Sequence, residues 1–351
     1  MSYTHLIVQS TDSIISVLKY MDSVKHKMLL VYKNGVFFTI VTIGDLQRAI
    51  INNFDLNTSI EQIINIHDKQ YVLKTASKES IINHMFKIRC EFMPVIDEEG
   101  NLVDVYFWSD LFHGELTDET KPKINLPVVI MAGGKGTRLK PITNVIPKPL
   151  VPIGDKTILE TILNQFEGIG CTKFYMSVNY KSDMMKYYID HLEHHYDIEF
   201  FEEPKPLGTI GSVSLLKNKI TTPFFVSNCD ITIEQDYRDV YDYHCSNKNA
   251  LTIVTAVKSF KIPYGVIETG TDGLMTGLKE KPEITYMINT GVYILNPECI
   301  DMIPQNEFFH ITHLMEKLKT NGERVGCFPV SENAWKDMGD WPEYLKMINV
   351  R

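Results

Sequence analysis

A glycine-rich run with basic residues close by is the first part of this sequence that could do chemistry. Its glycines are Gly133, Gly134 and Gly136. Glycine has no Cβ atom, so these backbone N–H groups can turn towards an anion and approach it closely. Positive charge nearby comes from Lys135, Arg138 and Lys148. The combination predicts a binding site for phosphate groups, and we expect the ligand to be a nucleoside triphosphate.

Two better-known glycine loops do not fit this run. A Walker loop carries Lys followed by Ser or Thr after its last glycine, whereas Lys135 is followed by Gly136. A dinucleotide fingerprint needs a third glycine where Leu139 stands. A structural turn alone would account for the glycines, but it would not need an arginine and two lysines so near it.

The elements around the run predict an α/β, Rossmann-like fold. Val128 to Met131 is a short apolar run, typical of a parallel strand covered on both faces. Further strands are expected at 173–178, 198–202, 223–227 and 251–257, with a helix through Ile158 and Phe166. This alternation predicts a mainly parallel sheet with helices on both faces. Ligands bind such sheets at the carboxyl ends of the strands, where the glycine run lies.

Together with Pro147-Lys148-Pro149, the run resembles the signature of the sugar-1-phosphate nucleotidyltransferases, also called nucleotide-sugar pyrophosphorylases. The resemblance implies a glycosyltransferase A type sheet and a catalytic role for Arg138 and Lys148. It also implies nucleotide contacts from Ala132, Gly133, Gly134, Lys135, Gly136 and Thr137.

A second block, from Glu202 to Ser212, resembles the part of that family which lies against the nucleotide base. By this resemblance, Gly208 lets the base approach the backbone. A carboxylate at Glu202 or Glu203 could accept hydrogen bonds from the adjacent N–H donors of guanine, which favours GTP and Glu203 as a base contact. The alternative is that both glutamates are simply exposed at a strand end.

Two acidic residues stand in separate motifs that resemble the metal-binding motifs of the family. Asp230 ends the apolar run that begins at Phe224, and Asp337 lies in a Trp-x-Asp-x-Gly motif. Two carboxylates and triphosphate oxygens suit Mg²⁺, which is commonly held by few protein ligands. The sequence Asp340-Trp341-Pro342 departs from the family pattern, which leaves Asp340 as an alternative ligand.

Three further segments resemble the family's motifs for the sugar phosphate. They are Pro263 to Glu268, Lys279 to Pro282 and Asn289 to Ile294. By this resemblance Gly265 and Val292 line the sugar, Glu280 binds its hydroxyl groups, Lys281 binds its phosphate, and Asn289 makes a further polar contact.

The first part of the chain contains a sequence that is repeated once at an offset of about 65 residues. Met28 to Gly35 aligns with Met93 to Gly100. The pattern resembles a tandem pair of CBS modules, two small α/β units that pack against each other. The resemblance implies a regulatory adenine nucleotide at Thr42, Asp45 and Asp110. The aspartates could instead cap helices, and the pair could serve only to join copies of the chain.

Composition and length bound the remaining possibilities. The chain of 351 residues has room for a CBS pair at 1–118, a polar linker at 119–125 and a catalytic domain at 126–351. Its net charge of −9 argues against nucleic-acid binding, because no basic block offsets it. The sequence shows no leader and no membrane-length apolar run, so we expect a cytoplasmic protein without a membrane partner. The catalytic motifs reach the end of the chain, which predicts nucleotidyl transfer without an added acetyltransferase domain.

CBS modules ahead of such a domain resemble the guanylyltransferases that act on glucosamine 1-phosphate in bacterial legionaminic acid pathways. We therefore expect GTP and glucosamine 1-phosphate as substrates, Mg²⁺ as cofactor and a homo-oligomer formed through the CBS pair. Thymidylyl or uridylyl transfer to another hexose or heptose 1-phosphate is the alternative. A further hypothesis is an inactive catalytic fold whose CBS pair senses adenylate and controls a partner.

Overall fold

The computed structural model describes residues 3–64, 71–88, 90–108 and 122–348. The chain divides into two compact units, Met1–Lys121 and Pro122–Arg351. The predicted ligand residue Asp110 and the first part of the predicted linker, 119–121, lie outside the described residues. Among the described helices, none is long and apolar enough to span a membrane.

The first unit contains two small sheets with the same order of elements. Its first half comprises β1 (Ile7–Gln9), α1 (Ile14–Val24), β2 (Met28–Lys33), β3 (Val36–Thr42) and α2 (Ile43–Ile51). Its second half comprises β4 (Val72–Leu73), α3 (Lys78–Ile88), β5 (Phe92–Ile96) and β6 (Leu102–Phe107). In each half the first strand pairs in parallel with the second, and the second pairs antiparallel with the third. The two halves therefore share one topology, as the repeated sequence suggests.

Equivalent residues of the two halves meet inside this unit. Nδ1 of His26 lies 3.1 Å from Oε2 of Glu91, and these residues are 65 positions apart. The backbone N–H of Lys27 donates to the same carboxylate at 3.1 Å. The pair thus joins the repeats at the offset seen in the sequence.

The second unit is built on a seven-stranded sheet. Its strands are β7 (Val128–Met131), β10 (Lys173–Val178), β11 (Asp197–Glu202), β12 (Phe224–Asn228), β14 (Leu251–Lys261), β17 (Glu283–Leu295) and β18 (Val325–Ser331). Their order across the sheet is β11-β10-β7-β12-β17-β14-β18. β17 runs antiparallel to both of its neighbours, and the other strands run parallel to one another. The mainly parallel α/β sheet predicted from the sequence is confirmed.

Helices and short strands complete this unit. The described helices are α4 (Ile142–Val145), α5 (Ile158–Gly168), α6 (Ser182–His191), α7 (Tyr237–Ser246), α8 (Ile311–Thr320) and α9 (Trp341–Ile348). The short strands form three pairs, namely β8 (Pro152–Ile153) with β9 (Lys156–Thr157), β13 (Ile231–Ile233) with β19 (Trp335–Asp337), and β15 (Val266–Thr269) with β16 (Met275–Lys279).

Apolar cores lie on both faces of the sheet because successive strand residues point to opposite sides. Val128 and Ile130 join one core, where the apolar stripe of α5 packs through Phe166 and its neighbours. Val129 joins the other core, against which α8 packs through Leu314. Helices therefore cover both faces, and the carboxyl ends of the strands stay open at one edge.

Candidate active site

The sheet topology brings the glycine run and Asp230 together. β7 and β12 are adjacent and parallel, with Asn228 opposite Met131, so both strands end at the same edge. The glycine run leaves β7 at this edge, and Asp230 follows β12 two residues beyond its end. β13 then pairs antiparallel with β19, placing Asp337 opposite Ile231. Residues far apart in the chain thus converge on one edge of the sheet.

The glycine run forms a loop with unused hydrogen-bond donors. The N–H of Ala132 donates to the carbonyl of Ser177 at 3.0 Å, and the N–H of Leu139 donates to the carbonyl of Gly136 at 3.0 Å. Between them, the N–H groups of residues 133–138 donate to no protein acceptor within the part of the chain that the structure describes. Such a row of exposed donors is suited to anionic oxygens. Gly136 has a φ of +60°, a left-handed conformation that glycine adopts readily.

A buried ion pair stands beside this loop. Nζ of Lys148 donates to Oδ2 of Asp230, and both side chains are about nine-tenths buried, at 10% and 11% exposure. Nη2 of Arg138 lies 3.9 Å from the same oxygen, while its own side chain is 59% exposed. Arg138 can therefore turn towards a ligand, whereas Lys148 is held in place.

Asp337 completes a pair of carboxylates with Asp230. Burial is the main cause that raises the pKa of Asp337, and the negative charge of Asp230 adds to it. The N–H of Gly339 donates to Oδ1 of Asp337 at 2.8 Å and fixes its position. A Cβ atom on Gly339 would lie 2.6 Å from Nη2 of Arg138 and 2.9 Å from Oδ2 of Asp230. These charged groups are therefore packed closely around Gly339.

The donor set fits a divalent cation that takes few protein ligands. Asp230 and Asp337 offer hard carboxylate oxygens, and the repulsion between them would be relieved by a positive ion. No group of three or more His, Cys, Asp and Glu residues suited to a metal occurs among the described residues. Oδ1 of Asp340 instead accepts the N–H of Glu343 at 3.1 Å, at the start of α9. Asp337 rather than Asp340 is therefore the carboxylate beside Asp230.

A cavity of about 450 Å³ opens beside these charges. Its charged lining residues are Arg138, Asp230 and Asp337. Its uncharged lining residues with polar side chains are Thr209, Asn228, Asn289, Thr290, Tyr293, His310, Thr312 and Trp335. The predicted contact residue Asn289 is therefore at the cavity, together with several residues that the sequence patterns did not identify.

The structure shows which contacts the residues of the second sequence block make. Glu203 is buried, its Oε1 accepts the hydroxyl of Ser177 at 2.6 Å, and its Oε2 accepts the N–H of Leu207 at 3.2 Å. A Cβ atom on Gly208 would lie 2.6 Å from the carbonyl oxygen of Phe309. Gly208 therefore allows two backbone segments to pack closely. Glu202, in contrast, is exposed and paired with Lys186.

The predicted sugar-phosphate residues fall into two groups. Gly265 and Glu280 are adjacent, since a Cβ on Gly265 would lie 2.9 Å from Oε2 of Glu280, and both are exposed along with Lys281. These three residues do not line the cavity. Val292 does not line it either, because its side chain is fully buried in the core of the sheet.

In the first unit, Thr42 and Asp45 cap α2. The hydroxyl of Thr42 accepts the N–H of Asp45 at 3.3 Å, and Oδ2 of Asp45 accepts the N–H of Thr42 at 2.8 Å. Oδ1 of Asp45 pairs with Arg48. Both carboxylate oxygens of Asp45 thus have partners in the protein, as the capping alternative predicts.

Gly339 and His310 are site residues that sequence reasoning missed. The Trp-x-Asp-x-Gly motif contains Gly339, so a signal for its role was present. No comparable signal marks His310, because its place at the cavity depends on contacts with a loop about a hundred residues earlier.

Comparison with known proteins identifies the family. A family model described as nucleotidyl transferase matches residues 127–350. The chain belongs to the nucleotidyl transferase family. The matched residues include the glycine loop, both carboxylates and the cavity described above.

Several members of the nucleotidyl transferase family are similar to this chain. Mannose-1-phosphate guanyltransferase 2 of Candida glabrata is 35% identical over 229 residues, and mannose-1-phosphate guanyltransferase of Saccharomyces cerevisiae is 37% identical over 235 residues. Each match covers 62% of this chain and 62% of the relative, so the chain spans less than two thirds of these relatives' length. A crystal structure of HddC from Yersinia pseudotuberculosis complexed with GMP-PN matches with a TM-score of 0.50 and 28% identity, over 64% of this chain and 98% of that one.

Replacing Lys148 tests how strongly the buried pair is coupled to the fold. We expect Lys148→Met to lower the free energy of unfolding by about 3 kcal/mol, because Asp230 would remain buried beside Asp337 without its nearest cation. The double variant Lys148→Met, Asp230→Asn should recover at least half of this loss. Urea denaturation without divalent cations measures both values.

The control is Lys346→Met. Lys346 pairs with Glu343 at 2.7 Å, but the two side chains are 69% and 43% exposed. Its loss should cost less than about 1 kcal/mol. Equal effects of Lys148→Met and Lys346→Met would contradict the assigned role of the buried pair.

Proposed function

We propose that the protein transfers a guanylyl group from GTP to a sugar 1-phosphate and releases a nucleotide sugar and pyrophosphate. The observation that carries this proposal is the row of unused N–H donors at residues 133–138, next to Arg138, Lys148 and two carboxylates. This arrangement supplies donors for a triphosphate and oxygens for a cation at one edge of the sheet. Guanine as the base is supported by the names of the curated relatives and by the GMP-PN complex of HddC.

The chemistry needs no general base. The second pKa of a phosphate monoester is about 6, so the attacking oxygen is already largely ionised at pH 7. A sugar-phosphate oxygen attacks the α-phosphorus of GTP and forms a new P–O bond. The bond from that phosphorus to the bridging oxygen of the β-phosphate breaks, and pyrophosphate leaves with the electron pair. The protein's task is to align these groups and neutralise their charge.

Different residues would align the reacting groups and neutralise their charge. The N–H groups of residues 133–138 would cradle the triphosphate, and the exposed guanidinium of Arg138 would turn onto the leaving pyrophosphate. Lys148 would place positive charge at the reacting phosphates. Lys281, exposed on the loop after β16, would hold the acceptor phosphate.

Asp230 and Asp337 would hold Mg²⁺. Their oxygens fit its preference for hard ligands, and substrate phosphates would fill its remaining positions. Bound there, the ion would supply charge that stabilises the phosphate oxygens during transfer. Asp230 would then share its charge between the ion and Lys148.

The proposed acceptor is glucosamine 1-phosphate. It rests on the resemblance between the arrangement of this chain and the guanylyltransferases of legionaminic acid pathways. Mannose 1-phosphate, which appears in the names of the curated relatives, is the second candidate. The uncharged polar residues that line the cavity can offer hydrogen bonds to the hydroxyl groups of either sugar.

Pyrophosphate release across a matrix of substrates tests the proposal. The donors are GTP, UTP, dTTP, ATP and CTP, and the acceptors include the 1-phosphates of glucosamine, mannose, glucose and a heptose, with Mg²⁺ present. We expect GTP with glucosamine 1-phosphate to give the highest kcat/KM and EDTA to abolish turnover. A higher kcat/KM with UTP or dTTP would overturn the guanylyl assignment, and no release in any pair would contradict the proposed reaction.

Arg138→Ala separates catalysis from folding. We expect kcat to fall by about 100-fold, because one positive group directed at the developing charge is lost. The melting temperature should stay within about 2 °C, since the side chain is largely exposed. Arg324→Ala, which removes another exposed arginine of the same unit, should leave kcat unchanged. Unaltered turnover in Arg138→Ala would refute the assigned role.

For the first unit we propose a tandem CBS pair that joins copies of the chain. The repeated topology supports the pair, and the engagement of both Asp45 oxygens within the protein argues against adenylate binding through this residue. Removal of residues 1–121 should reduce the mass in solution to that of a single Pro122–Arg351 unit and leave turnover independent of AMP. An unchanged assembly would contradict this role, and a response of the full chain to AMP that is lost on truncation would favour the adenylate sensor.

A further inference from the structure

The cavity beside the catalytic charges is lined by two chemically different sets of residues. Arg138, Asp230 and Asp337 form the charged set, beside which phosphates and a cation would lie. The other set consists of uncharged hydrogen-bonding groups, including Asn228, Asn289 and His310. Neutral donors and acceptors of this kind suit the hydroxyl and amino groups of a sugar ring rather than its phosphate.

The segment that brings His310 to the cavity is fastened to the 207–211 loop. The N–H of Phe309 donates to the carbonyl of Leu207 at 2.9 Å, and the N–H groups of Ile210 and Gly211 donate back to the Phe309 carbonyl at 3.2 Å. The N–H of Ile311, which opens α8, donates to the hydroxyl of Thr209 at 2.9 Å. His310 is therefore held on a fixed backbone rather than on a free loop.

The contacts of His310 are compatible with a ring proton on Nε2. Nδ1 of the imidazole lies 3.4 Å from Oγ1 of Thr209, whose oxygen already accepts the Ile311 N–H. The hydroxyl proton of Thr209 can then point at Nδ1, which leaves the ring proton on Nε2. The contact with Thr209 uses Nδ1, so Nε2 is the ring nitrogen on the other side of the imidazole from Thr209. The imidazole thus offers a donor at the cavity.

We propose that His310 is a specificity residue for the acceptor, and that its Nε2–H donates to a ring oxygen or hydroxyl group of the sugar 1-phosphate. This inference rests on the proposed function and extends it to a residue in none of the segments that resemble the acceptor motifs. Thr209 contacts the ring, and Thr209 and His310 both line the cavity. A sugar bound in the cavity would contact His310, which lies on the segment that is hydrogen-bonded to the 207–211 loop.

Two substitutions of nearly equal size test this assignment. In His310→Gln the side-chain amide reaches about as far as Nε2, whereas in His310→Asn it reaches only about as far as Nδ1. We expect His310→Asn to raise the KM for the sugar 1-phosphate about tenfold and His310→Gln to raise it about threefold or less. The KM for GTP should stay within about twofold in both. Asn is also a favoured residue at a helix N-cap, so α8 should keep its start.

The control is His195→Gln, which alters an exposed histidine outside the cavity and should leave both KM values unchanged. An acceptor KM that is unaltered in His310→Asn, in a protein whose wild type is active, would overturn this inference alone. Parallel increases in the KM for GTP and for the sugar 1-phosphate would overturn it too, by indicating a general structural effect. If the wild-type protein released no pyrophosphate with any sugar 1-phosphate, both the proposed function and this inference would be wrong.

Discussion

The buried ion pair between Lys148 and Asp230 is the interaction on which the candidate site depends. Both side chains are about nine-tenths buried at the edge where β7 and β12 end. A lysine or an aspartate buried alone there would carry a large desolvation cost, so each residue makes the position of the other possible. Lys148 also packs closely against the glycine loop, because a Cβ atom on Gly136 would lie 3.0 Å from the Cβ of Lys148.

Around this pair the charges are only partly balanced. Asp337 has a raised pKa because it is buried and faces Asp230, while Arg138 remains mostly exposed. Such a site holds its charged groups in position before a ligand arrives, and the ligand's own charges can complete the balance. This is the preorganisation that phosphoryl transfer requires, since the protein supplies position and charge rather than a new covalent bond. The arrangement of charged residues at this edge of the sheet therefore supports the proposed reaction, as the sequence motifs do.

Local patterns predicted the framework of the second unit well. The strand at Lys173–Val178 has the predicted bounds, and the glycine loop follows β7 as expected, because apolar runs and glycine turns are properties of short segments. Contacts between segments that are far apart in the sequence could not be predicted from local patterns. Gly208 is needed for its approach to Phe309, Val292 lies in the core, and His310 is positioned by Thr209, 101 residues earlier. Each depends on how the sheet brings separate loops together.

The central claim is that Asp230 and Asp337 jointly hold a divalent cation opposite Lys148. A crystal structure with Mn²⁺ and a non-hydrolysable GTP analogue tests it most directly, because Mn²⁺ is located by its anomalous scattering. The account predicts one strong anomalous peak within coordination distance of both carboxylates and of phosphate oxygens, with the triphosphate against the N–H groups of residues 133–138. A peak that touches neither carboxylate, or a triphosphate bound away from this loop, would contradict it.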